Sequence, residues 1–588
     1  MSAHPKPTRS GPPLRVTRTN IPGAGSSPRG VDINSNSRAM SFLWIVERLD
    51  VLTALLLLVV TLIVSDYVIN RAPKNFPPCP PGLPFVGNAL SFAAEEPYAY
   101  LSKLAEKYGN VFSLRLGQKK TIYLNSFKMV KEALVTHPYA IINRPVVPIY
   151  KIIYKTTGIG LDNDYKWKMH KKFTLSTLRN FGVGRRSLEF IILEELKVFS
   201  EALKEKHGKP FDPHMLTSTA ISNVICSMLF GRRFEYSDAQ FDELMHLINS
   251  AVYLEGSVWA QAYNAFPGIM KFLPGRHNEL FSKYAQVFDF MRNEIEEHKK
   301  DWDPAAPRDY IDYYLSEIKK GNNDVTGFTE GTLTATIFDL FVAGSETTAT
   351  TILWALLFMV KYPNVQEKVQ TEIESVMGQD GPPSMDNRSQ MPFTEAVICE
   401  VHRMGNVIPL SLTRITSDDI SLGGYLIPKD TTVVINLSSV LNDKSEWETP
   451  DMFTPDHFLD SDGKLIRRDA FLPFLTGKRT CLGETLARMQ VFLFFTSLLQ
   501  KFTFRAPAGV EPSLNAQNGF TRNPVPFKNV ADTTWSAQQD LQTSSGPTAF
   551  PVCGLLGYLL SSYGQSIPMV RRGLISDHTR SKIFTGSC

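Results

Sequence analysis

The chain has 588 residues, of which 43% are hydrophobic and 20% are charged, with a formal net charge of +4 at pH 7. This composition supports a large buried core and excludes a chain that is disordered throughout. The small positive charge, without a basic stripe interleaved with exposed aromatic residues, excludes a nucleic-acid-binding protein. The six cysteines are scattered along the chain, which argues against a disulfide framework and is typical of a reducing compartment.

Residues 1–39 form a basic segment ahead of the first apolar run. They contain six prolines, four glycines, six Lys or Arg and a single acid, Asp32. Because this composition cannot bury a core, we expect a disordered head. The prolines argue against the amphipathic helix of a mitochondrial targeting sequence. A chain starting at Met40 would have a short, nearly neutral head, and our hypothesis is that residues 1–39 are an extension added by the gene model.

An apolar run follows the head, and a proline-rich stretch comes directly after it. Residues 51–64 are apolar except for Thr53 and Thr61, and we predict a membrane anchor over 40–70. A buried core helix has a similar composition. The stretch 71–84 is typical of a stiff tether ahead of a folded domain, which favours the anchor. Basic residues on both sides of the run indicate conflicting orientations in a membrane.

Residues 77–530 are predicted to form one domain, mainly α-helical with small β-sheets. Helical periodicity is more frequent than strict alternation, and the short β-like runs are interrupted by Pro and Gly. Residues 531–588 lack clear periodicity, and we expect a peripheral or disordered tail there. The predicted helices span 101–108, 127–136, 166–179, 191–206, 215–230, 240–252, 278–300, 332–361 and 485–499, and the predicted strands span 121–124, 424–427 and 432–436.

Cys481 lies in the run Phe-Leu-Thr-Gly-Lys-Arg-Thr-Cys-Leu-Gly, which is the most informative part of the sequence. Gly477 permits a tight turn, Gly483 lets a flat ligand approach the backbone, and Arg479 supplies a cation for an anionic group. Phe474 offers an aromatic wall. The amide groups of such a loop stabilise a thiolate, the form of cysteine that binds metal. A lone cysteine is more often a small buried core residue, but these neighbours favour a metal ligand.

A second pattern, Ala-Gly-Ser-Glu-Thr-Thr at 343–348, lies within the long predicted helix. Burying an acid and two hydroxyl groups costs free energy unless they serve a ligand, a partner or a water chain. Gly344 shares a helix face with Thr347, and we expect its missing side chain to open space there. The alternative is an ordinary helix whose threonines bond the carbonyl four residues back.

A third pattern is the pair Glu400 and Arg403, which lie on one face of a helix and can form an ion pair. Most such pairs are exposed and contribute little stability, so the pair carries little information alone.

Together these patterns resemble the cytochrome P450 superfamily. The Cys481 loop matches its FxxGxRxCxG haem-thiolate signature, and residues 343–348 match its oxygen-activation segment. The resemblance implies a triangular, mostly helical haem domain over 77–530. Within the superfamily the chain is most similar to the animal microsomal family-2 type, a group of xenobiotic hydroxylases and fatty-acid epoxygenases, in segments 143–145, 177–182, 341–348, 423–429 and 473–488.

The resemblance implies roles for individual residues. Cys481 would be the axial iron ligand of haem b, and the thiolate would favour O–O cleavage. Thr347 would take part in oxygen activation while Glu346 relays protons. His457 would complete the Glu400–Arg403 pair as a structural lock without a catalytic role. Other residues matched to haem-binding positions are Phe474 and Gly483, with Arg144, Trp167, Lys171, Arg414 and Arg479 for the propionates.

Lys171 departs from the family pattern, which has arginine at that position. Lysine keeps the charge but loses the bidentate fork, so its ammonium could instead face solvent.

The substrate pocket is mainly apolar by the same resemblance, which favours hydrophobic small molecules. Asp339 would meet a basic substrate or, in the favoured interpretation, bond neighbouring backbone. The implied pocket positions are Pro148, Ile149, Asp339, Phe341, Val342, Ala343, Val407, Ile408 and Phe520.

The implied reaction consumes RH, O2, NADPH and a proton and yields ROH, water and NADP+, by hydroxylation or epoxidation of a xenobiotic, fatty acid or steroid-like substrate. No GxGxxG follows a predicted strand, so NADPH is expected to bind a partner, the NADPH–cytochrome P450 reductase, with cytochrome b5 as a second donor. The implied location is the endoplasmic reticulum membrane, with the domain facing the cytosol. A cluster of basic residues suits docking of an acidic electron donor. A run of charges is more often simply a solvated face. The cluster consists of Lys168, Lys171, Lys172, Arg179 and Lys478.

Two other functions remain open at this point. One is a haem-thiolate isomerase or dehydratase of peroxides, which needs no external electrons; the Glu346–Thr347 pair argues against it. The other is a haem-binding sensor without catalytic activity, which only a turnover measurement distinguishes from an enzyme.

Overall fold

The computed structural model describes residues 51–94, 97–321, 323–378 and 381–534. The described residues belong to one compact unit, which ends at Thr534. The predicted head over 1–39 and the predicted tail beyond Thr534 lie outside the described residues. The structure therefore addresses the proposed anchor from Val51 onward, the hinge and the domain.

The first described helix, α1, spans Val51–Ile69 and is long and apolar enough to cross a membrane. Its side chains are exposed except for Asp66, which is buried. A second stretch that passes the same test, Asn323–Lys361, is mostly buried within the fold, as expected of a core helix. Helix α1 is the candidate membrane anchor.

Helices dominate the rest of the described chain. A π-helix spans Glu132–Thr136, and 3₁₀-helices span Met385–Gln390 and Pro455–Phe458. The α-helices after α1 are α2 (Ala89–Ala94), α3 (Pro97–Tyr108), α4 (Phe127–Lys131), α5 (Pro148–Ile153), α6 (Asp164–Asn180), α7 (Arg186–Lys204), α8 (His214–Leu229), α9 (Ala239–Glu255), α10 (Val258–Ala265), α11 (Pro267–Met270), α12 (Arg276–Asp301), α13 (Tyr310–Lys319), α14 (Asn323–Thr326), α15 (Glu330–Lys361), α16 (Pro363–Met377), α17 (Pro392–Gly405), α18 (Leu437–Leu441) and α19 (Glu484–Lys501).

The strands form one four-stranded sheet and three two-stranded ones. The larger sheet has the order β1-β2-β6-β3, in which β2 and β6 are parallel and the other neighbours antiparallel. The pairs β4–β5, β7–β10 and β8–β9 are antiparallel. The strands are β1 (Val111–Leu116), β2 (Lys119–Leu124), β3 (Arg414–Ile415), β4 (Ile420–Leu422), β5 (Tyr425–Ile427), β6 (Thr432–Ile435), β7 (Phe502–Arg505), β8 (Ala516–Asn518), β9 (Arg522–Pro524) and β10 (Val530–Thr533).

The predicted fold class and each predicted helix and strand are confirmed to within a few residues. The helix expected over 127–136 divides into α4 and the π-helix. Helices α13 and α16 were not predicted, although Pro363 at the first turn of α16 is a start signal. Residues 531–533 belong to strand β10 and not to a peripheral tail, because a four-residue strand is too short to reveal alternation.

Helix α15 runs through the core and positions the candidate site. Thr329 caps its N-terminus through a reciprocal capping box with Thr332. Helices α8, α12, α17 and α19 pack around it. A Cβ on Gly344 would lie 2.8 Å from Ile225 Cδ1 of α8. The space expected beside Gly344 is thus filled by Ile225, and the glycine serves close packing of two helices.

A buried ionic cluster joins α17 to the segment that precedes the Cys481 loop. Arg403 donates from Nε and Nη2 to the two carboxylate oxygens of Glu400, at 2.7 and 2.8 Å, and both side chains are fully buried. Arg403 Nη1 also donates to the carbonyl oxygens of Leu441 and Pro450. His457 Nδ1 lies 3.4 Å from the Glu400 carboxylate. The guanidinium is therefore satisfied on every side.

Two half-buried acids tie α15, α9 and α12 to the chain around α5. Asp339 on α15 accepts from the Tyr154 hydroxyl at 2.6 Å and from the Gly160 amide at 2.8 Å. Burial raises the pKa of Asp339 from 3.8 to about 6. Glu255, the last residue of α9, accepts from the hydroxyls of Tyr150 on α5 and Tyr284 on α12. Desolvation likewise raises the pKa of Glu255.

We expect Arg403→Ala to lower the free energy of unfolding by about 3–5 kcal/mol, because it leaves the Glu400 carboxylate buried without its partner. Urea denaturation followed by circular dichroism measures the change. Arg186→Ala is the matched control, since Arg186 pairs with Asp386 on the surface and exposed pairs contribute little. Equal losses in the two variants would contradict this prediction.

The raised pKa of Asp339 predicts a pH-dependent stability. The folded protein keeps this proton to higher pH than the unfolded chain does, so the stabilisation is complete below pH 3.8 and is lost as pH rises through about 6. The shift corresponds to about 3 kcal/mol. We expect Asp339→Asn, which cannot ionise, to gain stability relative to the wild type between about pH 4.5 and about pH 7.5. Denaturation midpoints across that range test this, and a pH-independent difference would refute it.

Candidate active site

The Cys481 loop folds back on itself just before α19. The Cys481 amide donates to the Phe474 carbonyl oxygen at 3.0 Å. Gly477 adopts φ +82°, and a Cβ there would lie 2.7 Å from the Leu134 carbonyl oxygen of the π-helix. Only glycine combines this backbone conformation with such close contact. The loop thereby holds the cysteine in one position.

The side chain of Cys481 is accessible but closely surrounded by protein. The surrounding protein desolvates the thiol enough to raise its pKa. The Gly483 amide bonds the sulfur and opposes that rise. A Cβ on Gly483 would meet no protein atom within 4 Å. The loop therefore offers an accessible sulfur and, two residues on, an open backbone, both of which a flat metal-bearing ligand requires.

Three arginines are buried near this loop without carboxylate partners. Among the described residues, Arg144, Arg414 and Arg479 form no ion pair, and the Nε of Arg414 has no hydrogen-bond partner. Desolvation lowers the pKa of Arg414 to about 10 and that of Arg479 to about 9, and it also lowers that of Arg144. Burying three cations together is costly unless anions accompany them. The cluster suits a ligand that carries two carboxylates.

Arg479 also connects the loop to helix α6. Its guanidinium stacks over the Trp167 ring at 3.8 Å and donates to the carbonyl oxygens of Ile142 and Asp162. Arg144 donates to the carbonyl oxygens of Gly160, Leu412 and Thr413. The predicted residues Arg144, Trp167, Arg414 and Arg479 thus lie in one region, each fixed by a different part of the chain.

Lys171, matched above to a propionate, also has a protein partner in the Cys481 loop. Its ammonium donates to the Lys478 carbonyl oxygen at 2.7 Å and lies 5.1 Å from the centre of the Trp167 ring. A lysine lacks the planar fork of arginine and binds the nearest single acceptor, which here is the loop carbonyl. Lys171 therefore fastens α6 to the Cys481 loop.

The acid and hydroxyl of the 343–348 pattern point to separate partners. Thr347 donates to the Ala343 carbonyl oxygen at 2.7 Å, as in the ordinary-helix alternative. Glu346 is buried and accepts from Thr521 at 2.8 Å and from Asn523 at 3.0 Å, next to and within β9. It also lies on the wall of a cavity of about 370 Å³. Glu346 is therefore fixed by residues far away in sequence.

The residues predicted to line the substrate pocket differ in exposure. Ala343 is exposed although it lies midway along a core helix, and Val407, Ile408 and Phe520 are half-buried. Phe341 and Ile149 do not line open space; both are in the hydrophobic core, where Phe341 packs against Phe230. The two carboxylate oxygens of Asp339 accept hydrogen bonds from the Tyr154 hydroxyl and the Gly160 amide.

Several contacts could not be found from the sequence patterns. His402, between Glu400 and Arg403, packs edge-on against Phe474 with ring centroids 5.3 Å apart. Burial lowers the pKa of His402 to about 3, so it is neutral. The Tyr150–Glu255 bond and the partners of Glu346 join residues more than a hundred positions apart, and no local spacing reveals such pairs.

The donor set fits haem. A cysteine sulfur suits the iron, an open backbone suits the flat ring, and buried guanidiniums suit the propionates.

Comparisons with known proteins agree with this site. The cytochrome P450 family model matches residues 77–530. The chain is 47% identical over 480 residues to cytochrome P450 2J2 of Homo sapiens, covering 82% of this chain and 95% of that protein. It is 46% identical to cytochrome P450 2J1 of Oryctolagus cuniculus with the same coverage. It is 42% identical to cytochrome P450 2D15 of Canis lupus familiaris over 78% of this chain and 93% of that protein. The chain therefore belongs to the cytochrome P450 family and is a P450 monooxygenase.

Proposed function

We propose that the enzyme inserts one oxygen atom of O2 into a hydrophobic small molecule, using electrons from NADPH that arrive through a partner reductase. The proposal is carried by the position of Cys481, whose sulfur and neighbouring open backbone at Gly483 lie near three unpaired buried arginines. The two electrons and two protons reduce the second oxygen atom to water, so RH, O2, NADPH and a proton give ROH, water and NADP+. The substrate is a xenobiotic, fatty acid or steroid-like molecule.

Haem b is the proposed cofactor, held by Cys481 at the iron and by Arg144, Arg414 and Arg479 at the propionates. When bound, haem supplies one-electron and O2 chemistry. Trp167 supports the site indirectly, because its ring holds the Arg479 guanidinium in place. Lys171 keeps the loop against α6 through the Lys478 carbonyl.

Proton delivery is assigned to Glu346 and Thr347. The Glu346 carboxylate is held by Thr521 and Asn523 and lies on a cavity wall shared with His214 and His246. Imidazoles and carboxylates are side chains that commonly donate and accept protons in enzymes. Protons would enter through this cavity to Glu346 and reach the site through the hydroxyl of Thr347.

The substrate is proposed to bind against Ala343, Val407, Ile408 and Phe520, which are apolar. A buried apolar wall recognises hydrophobic molecules by desolvation and has few groups to orient polar ones. Asp339 is not proposed as an amine ligand, because both of its oxygens already accept hydrogen bonds.

Electron donors are proposed to dock on the face that carries Lys168, Lys172, Arg179 and Lys478. These four side chains are exposed, and Lys478 lies three residues from Cys481. Positive charge on this face would steer an acidic diflavin reductase or cytochrome b5 towards the thiolate side.

The proposed location is the endoplasmic reticulum membrane, with the domain in the cytosol. The anchor would comprise residues 40–70, the hinge 71–84 and the catalytic domain 77–530. Helix α1 supports this assignment because its apolar side chains are exposed and do not belong to the hydrophobic core of the domain. The proline-rich hinge would set the domain close to the membrane surface.

Cys481→Ala is expected to abolish NADPH- and reductase-dependent product formation and the thiolate-type spectrum of the reduced, CO-bound protein, because the iron loses its sulfur ligand. Metabolite profiling of membranes that contain the variant and the reductase measures the first effect. Cys79→Ala is the control, since Cys79 lies before the domain's first sheet. Product formation retained by the Cys481 variant would refute the mechanism, and turnover of a peroxide without NADPH would support an isomerase.

We expect Lys172→Glu to raise the KM for the reductase several-fold at low ionic strength, while the CO-bound spectrum stays unchanged. The difference should shrink at high salt, because the effect is electrostatic. Lys271→Glu, an exposed lysine that follows α11, is the matched charge reversal and should leave the KM unchanged. An equal rise in both variants would exclude a specific docking face.

A further inference from the structure

A cavity of about 440 Å³ lies where the candidate anchor meets the globular domain. Its walls come from three parts of the chain: the C-terminal half of α1, the hinge, and strands β1 and β2. Ile63 and Tyr67 contribute apolar surface from α1, and Phe76 does so from the hinge. The cavity therefore adjoins the helix that would enter the membrane.

An ion pair fixes the shape of this cavity. Arg115 on β1 donates to both carboxylate oxygens of Asp66 at 2.9 Å, and the Phe85 amide also donates to Asp66 at 3.1 Å. Arg115 further donates to the Leu83 carbonyl oxygen at 2.6 Å. These bonds hold the end of α1, the hinge and the sheet together. The cavity is thus a built feature and not a gap beside a loose tether.

Two further cations on the cavity wall have no acidic partner. Within the described ranges, no carboxylate lies in ion-pair distance of the Arg71 guanidinium or the Lys120 ammonium. Lys120 donates instead to the Arg71 carbonyl oxygen at 2.9 Å, which brings the two residues side by side. With the Asp66 charge neutralised by Arg115, the cavity keeps an excess of positive charge next to apolar surface.

We propose that this cavity binds the headgroup of an anionic phospholipid, with the phosphate between Arg71 and Lys120 and an acyl chain along Ile63 and Tyr67. The inference rests on the proposed membrane anchoring. Cations beside a membrane-spanning helix attract anionic lipids, and a cavity that pairs them with apolar helix surface complements both ends of such a molecule. The occupant is a phosphate ester attached to acyl chains, since free phosphate would leave the apolar wall uncovered.

The test follows the reactivity of Cys79, which is exposed on the cavity wall. The full-length holoenzyme in neutral detergent micelles is titrated with phosphatidylserine, phosphatidylcholine or inorganic phosphate. Alkylation of Cys79 by iodoacetamide is then timed by mass spectrometry of its peptide. We expect phosphatidylserine to slow alkylation and the other two additions to leave the rate unchanged. Equal protection by both lipids, protection by phosphate alone, or no protection would each overturn the proposal.

Single substitutions distinguish lipid binding in the cavity from general attraction of anionic lipid to surface charge. Arg71→Ala and Lys120→Ala should each raise the phosphatidylserine concentration for half-protection by about fivefold, because one cation is lost from the headgroup site. Lys74→Ala and Lys119→Ala are the controls, because these exposed lysines lie beside Arg71 and Lys120 in sequence but do not line the cavity. They should change the phosphatidylserine concentration for half-protection by less than about twofold. Equal effects of all four variants would exclude a specific site.

A separate measurement tests the anchoring itself. Alkaline carbonate extraction of membranes should leave the full-length protein in the pellet. Release into the supernatant would contradict the proposed anchor whatever the alkylation result. Retention without protection of Cys79 would leave the anchor in place and refute only the lipid site.

Discussion

The contact between Arg479 and Trp167 is the interaction on which the active site depends most. The Arg479 guanidinium stacks on a ring of α6 and donates to the carbonyl oxygens of Ile142, after the π-helix, and Asp162, just before α6. Arg479 itself lies two residues before Cys481 in the loop. One buried cation thus links the sulfur-bearing loop to α6 and to the two chain segments that carry Ile142 and Asp162. Because these parts come from distant positions, the site exists only after the whole domain has folded.

The parts of the site that were predictable are continuous in sequence. The loop around Cys481 carries its glycines, arginine and cysteine within ten residues, and each performs a local task that its chemistry suggests. The helices that surround the site were also predictable, because their periodicity is local. Gly477 is an example from the loop: the turn there requires a positive φ, which glycine adopts without strain.

The parts that were not predictable depend on what packs beside them. Gly344 was expected to open space, but Ile225 of a different helix occupies it. Phe341 was expected at the pocket, but it packs in the core against Phe230. Lys171 was matched to a propionate, yet a loop carbonyl lies within its reach. In each case the residue type allowed two environments, and tertiary packing decided between them.

The Glu255 carboxyl group couples the positions of three helices. It accepts hydrogen bonds from tyrosines on α5 and α12 at once while sitting at the end of α9. No one of these three helices can swing outward alone without leaving a polar group stranded in the apolar interior. Separating α9 from the other two helices breaks both hydrogen bonds at once, so the three helices are expected to move as one unit.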